Sequence, residues 1–322
     1  MDFKRIGTND LVEGFAIVKS CDKKTTQRGA VYLDIMLADK ESTLNAKLWD
    51  YKDDTEIYEP NTLVKVRGQM TQYNGADQLR IERIRKAVDA DGVNISDYVP
   101  SAEYTGEFML SEIRKTVSSF TDNDLKSLCE YILNDNEQKL LYFPAAFKLH
   151  HAFRGGLLMH TLSLVRIAER ICEVYPFVNR DLLLCGAILH DISKTQEFTV
   201  SDTGIASGYT VEGELIGHLV MGAMKIEKAA EELKIPREKT ILIEHMLISH
   251  HGVPEYGAAV RPRTLEAELL SQIDLMDATV FEIVSAVSQL APGDFSSRQW
   301  ALDDRRFYRH EFEKLDEKTK LD

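Results

Sequence analysis

The sequence has few of the features that mark secreted, membrane-spanning or disordered proteins. Its four cysteines lie far apart and include no CxxC pair, so neither a disulfide framework nor a cysteine zinc site is indicated. The longest apolar run, residues 182–189, is less than half of the ~18 residues that a membrane helix needs. The first residues, MDFKRIGTNDLVEG, lack the apolar core of a signal peptide. With 8 prolines, 18 glycines and 44% hydrophobic residues among 322, we expect a folded, soluble, cytoplasmic protein.

Negative charge is unevenly distributed along the chain. The formal net charge is −13, yet residues 1–89 contain 15 basic and 15 acidic residues, so the whole excess lies after residue 89. An acidic C-terminal part is typical of a solvated helical surface, and it is equally typical of carboxylates that bind metal. Net charge alone does not decide between these two interpretations.

The first ~90 residues show the alternation of β-strands. In residues 30–38, Val31, Leu33, Ile35 and Leu37 share one face, and residues 43–50 repeat the pattern. Residues 12–19, 63–70 and 78–85 are three further strand candidates, and an Asn-Gly pair at 74–75 is typical of a hairpin turn. Five short strands in this length predict a small closed barrel of the OB type.

After the barrel the pattern changes. Residues 89–105 have no periodicity and contain a glycine and a proline, which is typical of a linker. From residue 106 onward, seven segments carry apolar residues at helical spacing. The sequence therefore predicts a multidomain α and β protein: an OB-type barrel at 1–88, a linker at 89–105, an all-α domain at 106–292 and a charged C-terminal segment at 293–322.

Eight of the nine histidines fall between residues 150 and 251. In the helical region they alternate with aspartates in the order His160, His190-Asp191, His218, His250-His251, Asp274. The gaps are close to thirty residues, about one helical hairpin, so successive helices can each bring one ligand into a shared interior. Imidazole and carboxylate together suit Mn²⁺, Fe²⁺, Co²⁺ or Zn²⁺. The number of candidate ligands fits two ions better than one, with Asp191 as the natural bridge.

These residues resemble a known family. His160, His190-Asp191 and Asp274 look like the motif of the HD superfamily of metal-dependent phosphohydrolases, and HDISK at 190–194 is close to its HDxxK form. The stretch KLHHAFRGGLLMHTLS at 148–163 is similar to the approach to the first ligand. An OB-like barrel followed by such a domain, with HD motifs at 150–280, resembles the YhaM-type 3′→5′ exoribonucleases.

The resemblance implies a role for each matching residue. His160, His190, Asp191 and Asp274 match the first metal site, with Asp277 as an alternative to Asp274. His218 and His250 match a second site, with His251 as a further candidate. Lys194 matches a lysine that contacts a phosphate oxygen, and with Asp191 it is the predicted catalytic pair.

Other residues are candidates for binding the substrate. His150, His151 and Arg154 lie where they could contact phosphate, or they could have a purely structural role in a loop. In the barrel, Lys47, Trp49, Lys65 and Arg67 fall on the face opposite the apolar alternation. Basic side chains beside aromatic rings suit single-stranded nucleic acid, although the same residues could simply face solvent.

The expected function is metal-dependent 3′→5′ exoribonuclease activity on single-stranded RNA, with single-stranded DNA as a second substrate. The expected cofactors are two divalent ions per site, Mn²⁺ or Co²⁺ ahead of Fe²⁺ or Zn²⁺, and self-association is plausible. One alternative is a phosphohydrolase of a small nucleotide or cyclic dinucleotide, although no Gly-Tyr-Pro follows the HD motif. Another is a non-catalytic RNA-binding protein.

Overall fold

The computed structural model describes residues 3–39, 42–49, 51–52, 56–147, 151–312, 314–315 and 318–321. The chain divides into two compact units, Met1–Ser101 with Val200–Ser207, and Ala102–Thr199 with Gly208–Asp322. The boundaries placed at residues 88 and 105 from the sequence stay predictions. None of the helices in the described part is both long enough and apolar enough to cross a lipid bilayer.

The first unit is a closed five-stranded barrel, which confirms the predicted OB-type fold. Its strands are β1 (Leu11–Thr25), β2 (Val31–Ala38), β3 (Thr43–Leu48), β4 (Leu63–Tyr73) and β5 (Ala76–Lys86). They close in the order β1-β2-β3-β5-β4, with β3 and β5 parallel and the other pairs antiparallel. Leu33, Ile35 and Leu37 are fully buried, so the alternation seen in the sequence fills the barrel interior.

The turn between β4 and β5 follows from its two residues. Asn74 has φ 51° and Gly75 has φ 79°, the left-handed pair that a two-residue hairpin turn requires. Asparagine and glycine adopt this conformation more easily than other residues. The turn keeps β4 and β5 in register from Tyr73 opposite Ala76.

The second unit is mainly helical, as predicted. Its helices are α1 (Gly106–Ser118), α2 (Asn123–Leu140), α3 (Gly156–Val174), α4 (Arg180–Leu189), α5 (Lys194–Glu197), α6 (Val211–Leu215), α7 (His218–Leu233), α8 (Arg237–Ser249) and α9 (Leu265–Val287). Every residue of α3 from Gly156 to Val165 is buried, and so is nearly all of α4. A helix that is apolar on all sides lies in the core, so α3 and α4 carry their polar residues into the interior.

Two strands interrupt the helices and were not expected from the sequence. They are β6 (Phe198–Val200) and β7 (Ala206–Tyr209), which pair in a two-stranded ribbon between α5 and α6. Strands of three and four residues are too short to show alternation. In the C-terminal segment, isolated bridges join Phe295 to Tyr308 and Gln299 to Arg305.

Candidate metal centre

Histidines and aspartates from three helices meet in the core of the helical unit. His190 follows the last residue of α4, His160 lies in α3 and Asp274 lies in α9. Nε2 of His160 is 3.1 Å from Nε2 of His190 and 3.1 Å from Oδ1 of Asp274. Oδ2 of Asp191 is 3.3 Å from Nε2 of His190. Both histidines are fully buried, so four groups that the sequence spreads over 115 positions point into one small space.

A second group of histidines faces the other oxygen of Asp191. Oδ1 of Asp191 is 3.4 Å from Nε2 of His218, the first residue of α7, and 3.6 Å from Nε2 of His250, which follows α8. His218, His250 and His251 each offer a nitrogen within 4.8 Å of the other two. One carboxylate therefore lies between two sets of imidazoles, with one oxygen directed to each.

Three of the imidazole rings are held at Nδ1 by backbone carbonyl oxygens. Nδ1 lies 2.9 Å from the Ala187 carbonyl oxygen in His190, 2.8 Å from that of Leu247 in His250, and 2.8 Å from that of Tyr256 in His251. Because a carbonyl oxygen can only accept a hydrogen bond, these Nδ1 atoms carry the proton. Nε2 then has a free lone pair, as in most metal-bound histidines.

His218 is held in the same way by a carboxylate. Oε1 of Glu197 lies 3.0 Å from Nδ1 of His218 and accepts from its backbone N–H at 3.1 Å. Glu197 is buried at the end of α5. Sequence reasoning missed this residue, since nothing in the local pattern distinguishes it from the many other acidic residues.

Several polar atoms of the cluster are buried without a partner. Nε2 of His218, Nε2 of His250 and Oδ1 of Asp191 accept no hydrogen bond from any residue that the structure describes. Leaving such atoms buried and unsatisfied costs free energy, typically about 1–3 kcal/mol each. Two imidazole nitrogens and one carboxylate oxygen that point into the same space are suitable ligands for a divalent cation of intermediate softness. These residues therefore fit a metal site.

The electrostatics of the cluster also favour a cation. Burial lowers the pKa of His250 and of His251, so both are neutral near pH 7. Burial is the largest single effect on the pKa of Asp191 and raises it, but Lys194, His190 and His218 together outweigh burial and hold that pKa well below its usual range. Burial opposes a charge on His160, yet the adjoining carboxylates of Asp274 and Asp277 raise its pKa to about 10. In the absence of metal, His160 is therefore protonated near pH 7, and its positive charge occupies the position that a bound cation would take.

Lys194 and Asp277 lie beside this cluster. Nζ of Lys194 is 2.6 Å from Oδ2 of Asp191. Asp277 contacts the far side of His160, with Oδ2 2.8 Å from Nδ1, and Ser163 donates a hydrogen bond to its other oxygen. Asp274 and Asp277 thus touch different nitrogens of the same ring.

Of the three predicted phosphate contacts, the structure describes His151 and Arg154, and each of them contacts another side chain. His151 is buried, has φ 54°, and places Nε2 2.9 Å from Oδ2 of Asp277, which makes it a partner of Asp277 rather than a surface group. The guanidinium of Arg154 lies over the ring of Tyr142, 5.4 Å from its centroid. His150 falls outside the described residues.

The predicted binding residues of the barrel form two separate groups. The ring of Trp49 lies against that of Tyr32, with centroids 4.6 Å apart, and Nζ of Lys47 is 4.8 Å from the Tyr32 centroid. Lys65 and Arg67 lie on β4, which β5 separates from β3. Both line a groove of about 560 Å³ and pair with acids, Lys65 with Glu13 at 3.3 Å and Arg67 with Glu82 at 3.5 Å.

Comparison with known proteins gives a consistent result. The HD domain family matches residues 157–279, the part that contains the cluster. Over nearly full length, the chain is similar to proteins named 3′-5′ exoribonuclease YhaM. It is 38% identical to that of Listeria welshimeri (97% of this chain, 98% of the relative), 37% to that of a Geobacillus strain (92% and 91%) and 35% to that of Bacillus subtilis (94% and 96%). Among solved structures, the second OB-fold domain of replication protein A from Methanococcus maripaludis matches 27% of this chain and 92% of its own length, with a TM-score of 0.23 and 15% identity.

Proposed function

The chain belongs to the YhaM family of 3′-5′ exoribonucleases, and from this premise we propose that it hydrolyses single-stranded RNA from the 3′ end at the cluster centred on Asp191. It is a metal-dependent phosphohydrolase of the HD type. The observation that carries the proposal is the position of the Asp191 carboxylate, whose two oxygens face two separate groups of imidazoles. This arrangement suits a bridging ligand between two cations.

We assign the ligands in two groups. His160, His190 and Asp274 would hold one cation together with Oδ2 of Asp191. His218, His250 and His251 would hold a second one together with Oδ1. Mn²⁺ or Co²⁺ fits these ligands best, with Fe²⁺ or Zn²⁺ as the alternatives. Bound there, such ions would polarise a phosphoryl oxygen and make a nucleophilic water available at neutral pH.

The residues of the chain prepare the site for this chemistry. The hydrogen bonds at Nδ1 fix the rings of His190, His218 and His250, so that Nε2 is directed inward before any ligand binds. Lys194 keeps Asp191 ionised and places a positive charge beside the centre. Attack on a phosphodiester adds negative charge to phosphoryl oxygens, and we assign Lys194 to neutralise part of it.

The barrel would bind the RNA strand. Trp49 and Tyr32 present rings on which bases can stack, and Lys47 lies over Tyr32 as a contact for phosphate. Because base stacking does not require a 2′-hydroxyl, single-stranded DNA is a second substrate in this proposal. Self-association and a cytoplasmic location stay predictions.

The test uses RNA labelled at its 5′ end. Purified protein is incubated with the strand in Mn²⁺, Co²⁺, Mg²⁺ or chelator, next to the Asp191→Ala variant and the matched variant Asp135→Ala, which changes an exposed aspartate of α2. We expect a ladder that shortens from the 3′ end with Mn²⁺ or Co²⁺, none with chelator, and none with Asp191→Ala, which should still bind RNA.

Two outcomes would contradict the proposal. Degradation by Asp191→Ala at the parental rate would exclude the metal assignment. An intact RNA strand together with hydrolysis of a small nucleotide would favour the alternative of a small-nucleotide phosphohydrolase, which shares the same histidine pattern.

A further inference from the structure

An aromatic cluster lies on the ribbon formed by β6 and β7. The ring of Tyr209, at the end of β7, contacts that of Phe198 edge-on with centroids 5.1 Å apart. It also contacts the ring of Phe147, at 5.8 Å and an interplanar angle of 57°. Phe198 is buried, whereas Tyr209 remains 43% exposed. Tyr209 is thus a partly exposed ring that packs against two other rings.

Hydrogen bonds join this cluster to the metal centre. Thr210, directly after Tyr209, donates from its backbone N–H to the carbonyl oxygen of Glu197 at 2.9 Å. Its hydroxyl donates to the carbonyl oxygen of Gln196 at 2.8 Å. The side chain of Glu197 accepts from Nδ1 of His218. One residue, Glu197, therefore positions a candidate metal ligand through its side chain and the base of the aromatic cluster through its backbone.

The charged groups that act on the Tyr209 hydroxyl include two residues of the candidate metal centre. Burial first, and then the carboxylates of Glu197 and Glu214, raise its pKa, while Lys194 acts in the opposite direction. Glu197 and Lys194 both belong to the metal centre and its immediate support. The Tyr209 hydroxyl is thus affected by two groups of the proposed site, Glu197 and Lys194.

We propose that Tyr209, backed by Phe147 and Phe198, is a stacking platform for a base of the RNA strand next to the scissile phosphodiester. This inference rests on the proposed exoribonuclease function and adds a binding residue to it. A base stacked on a fixed ring holds its own phosphate in place, and it does so for all four bases because each has a π face. A platform of this kind suits an enzyme that must accept every sequence. The phenolic hydroxyl is not required for stacking, so the ring is the functional part.

The experiment compares strands that differ by one base. The substrates are a 5′-labelled single-stranded RNA ending in two adenosines and the same strand with an abasic ribose at the last or at the penultimate position. For Tyr209→Ala we expect kcat/KM to fall about 10- to 100-fold on the intact strand, since stacking of a base contributes about that factor. On one of the two abasic strands the variant and the parent should differ less than about threefold, because that strand has already lost the stacked base.

Two further variants control the result. Tyr209→Phe keeps the ring and should retain the parental preference for the intact strand over the abasic one. Tyr175→Ala removes a tyrosine of matching exposure, 47%, which packs on Phe177 at 5.8 Å and 56°. Tyr175 lies fifteen residues beyond His160, about 22 Å along α3 and its C-cap. This variant should behave as the parent on every strand.

The outcomes separate the platform from the activity itself. An equal loss for Tyr209→Ala on intact and both abasic strands would mean that the ring only supports the fold, and no loss on any strand would mean that it binds nothing. Either result overturns the platform alone. If the parent protein leaves every strand intact, the proposed function fails, and the platform fails with it. Where Tyr209→Ala does not fold, the comparison of Tyr209→Leu with Tyr209→Phe gives the same test.

Discussion

Oδ2 of Asp277 lies 2.8 Å from Nδ1 of His160, and the same oxygen lies 2.9 Å from Nε2 of His151. Ser163 donates a hydrogen bond to the other oxygen, so the carboxylate is fixed on both sides. A carboxylate that holds the outer nitrogen of a ligand histidine orients the ring and strengthens its inner nitrogen as a ligand. In the proposed first metal site, Asp277 would therefore act through His160, while Asp274 faces Nε2 of His160 directly.

Removing this support should weaken metal binding without removing a ligand. For Asp277→Ala we expect Mn²⁺ affinity, measured by isothermal titration calorimetry, to fall about 10- to 100-fold, with turnover recovering in part at high Mn²⁺. In Asp274→Ala, which removes a proposed ligand, turnover should not recover at high Mn²⁺. The control is Glu268→Ala, which removes an exposed acid from the same helix. Unchanged Mn²⁺ affinity in Asp277→Ala would show that the contact between Asp277 and Nδ1 of His160 does not strengthen metal binding.

The close packing of Gly213 on Glu197 gives a second prediction. A Cβ atom at Gly213 would lie 2.3 Å from the carbonyl oxygen of Glu197, whereas one at Gly208, in β7, would meet nothing within 4 Å. Gly213→Ala must displace backbone next to the residue that holds His218. We expect it to lower the free energy of unfolding by about 1–3 kcal/mol and to weaken Mn²⁺ binding. Gly208→Ala should change neither, and equal behaviour of the two variants in thermal unfolding and Mn²⁺ titration would refute this explanation.

The barrel and the outline of the metal centre could be predicted because each leaves a periodic signal. Leu33, Ile35 and Leu37 alternate in the sequence and are fully buried in the barrel. The spacing of His160, His190 and the later histidines matches one helical hairpin per ligand, and the structure brings their side chains together. The first signal arises because one face of each strand must be buried, and the second because each hairpin returns the chain to the same interior.

Other features of the site could not be found in this way. Asp274 and Asp277 are one helical turn apart, so spacing alone does not separate their roles. The family resemblance puts Asp274 first, and in the structure the two side chains face different nitrogens of His160. Glu197 supports His218 from a short helix without periodicity, and the ribbon that places Tyr209 has strands too short to alternate. For His151 the sequence leaves a phosphate contact and a structural loop role open, because a single histidine gives no indication of whether its ring points inward.

The pair formed by Glu227 and Glu244, on α7 and α8, predicts a pH dependence of stability. Arg237 contacts both carboxylates, at 3.5 Å for Glu244. Burial first, and then the hydrogen bond with Glu227, raise the pKa of Glu244 to about 7 from an ordinary value of 4.5. A carboxyl group whose pKa is higher in the folded state stabilises the fold when protonated, and this stabilisation is lost as the pH rises through the folded value.

As the pH rises from about 5 to 8, the free energy of unfolding of the parent should therefore decrease. The decrease should be smaller in Glu244→Gln. Glutamine keeps a hydrogen-bond donor for Glu227 at every pH, so the variant lacks the titration. Urea unfolding at several pH values measures the difference. Glu231→Gln, an exposed glutamate of α7, should follow the parent. Identical slopes of unfolding free energy against pH in Glu244→Gln and the parent would contradict the raised pKa of Glu244.

The two tryptophans of the chain provide a matched test of the barrel. Trp49 is 41% exposed and lies against Tyr32, whereas Trp300 is 74% exposed in the C-terminal segment. If bases stack on the barrel, Trp49→Ala should weaken binding of a short single-stranded RNA about 10- to 100-fold, measured by fluorescence anisotropy in the Asp191→Ala background so that the strand stays intact. Trp300→Ala should leave the affinity unchanged.

The proposed role of Lys47, beside Trp49, can be tested separately, because a charge and a stacking ring respond differently to salt. Nζ of Lys47 lies 4.8 Å from the Tyr32 centroid and 3.4 Å from Oδ1 of Asp34. A lysine that contacts one phosphate of a single strand releases counterions, so Lys47→Ala should reduce the slope of log affinity against log salt by about 0.7. Trp49→Ala should lower affinity by the same factor at all salt concentrations, since stacking involves no counterions. A salt slope that changes in Trp49→Ala but not in Lys47→Ala would reverse these assignments and exclude Lys47 as the phosphate contact.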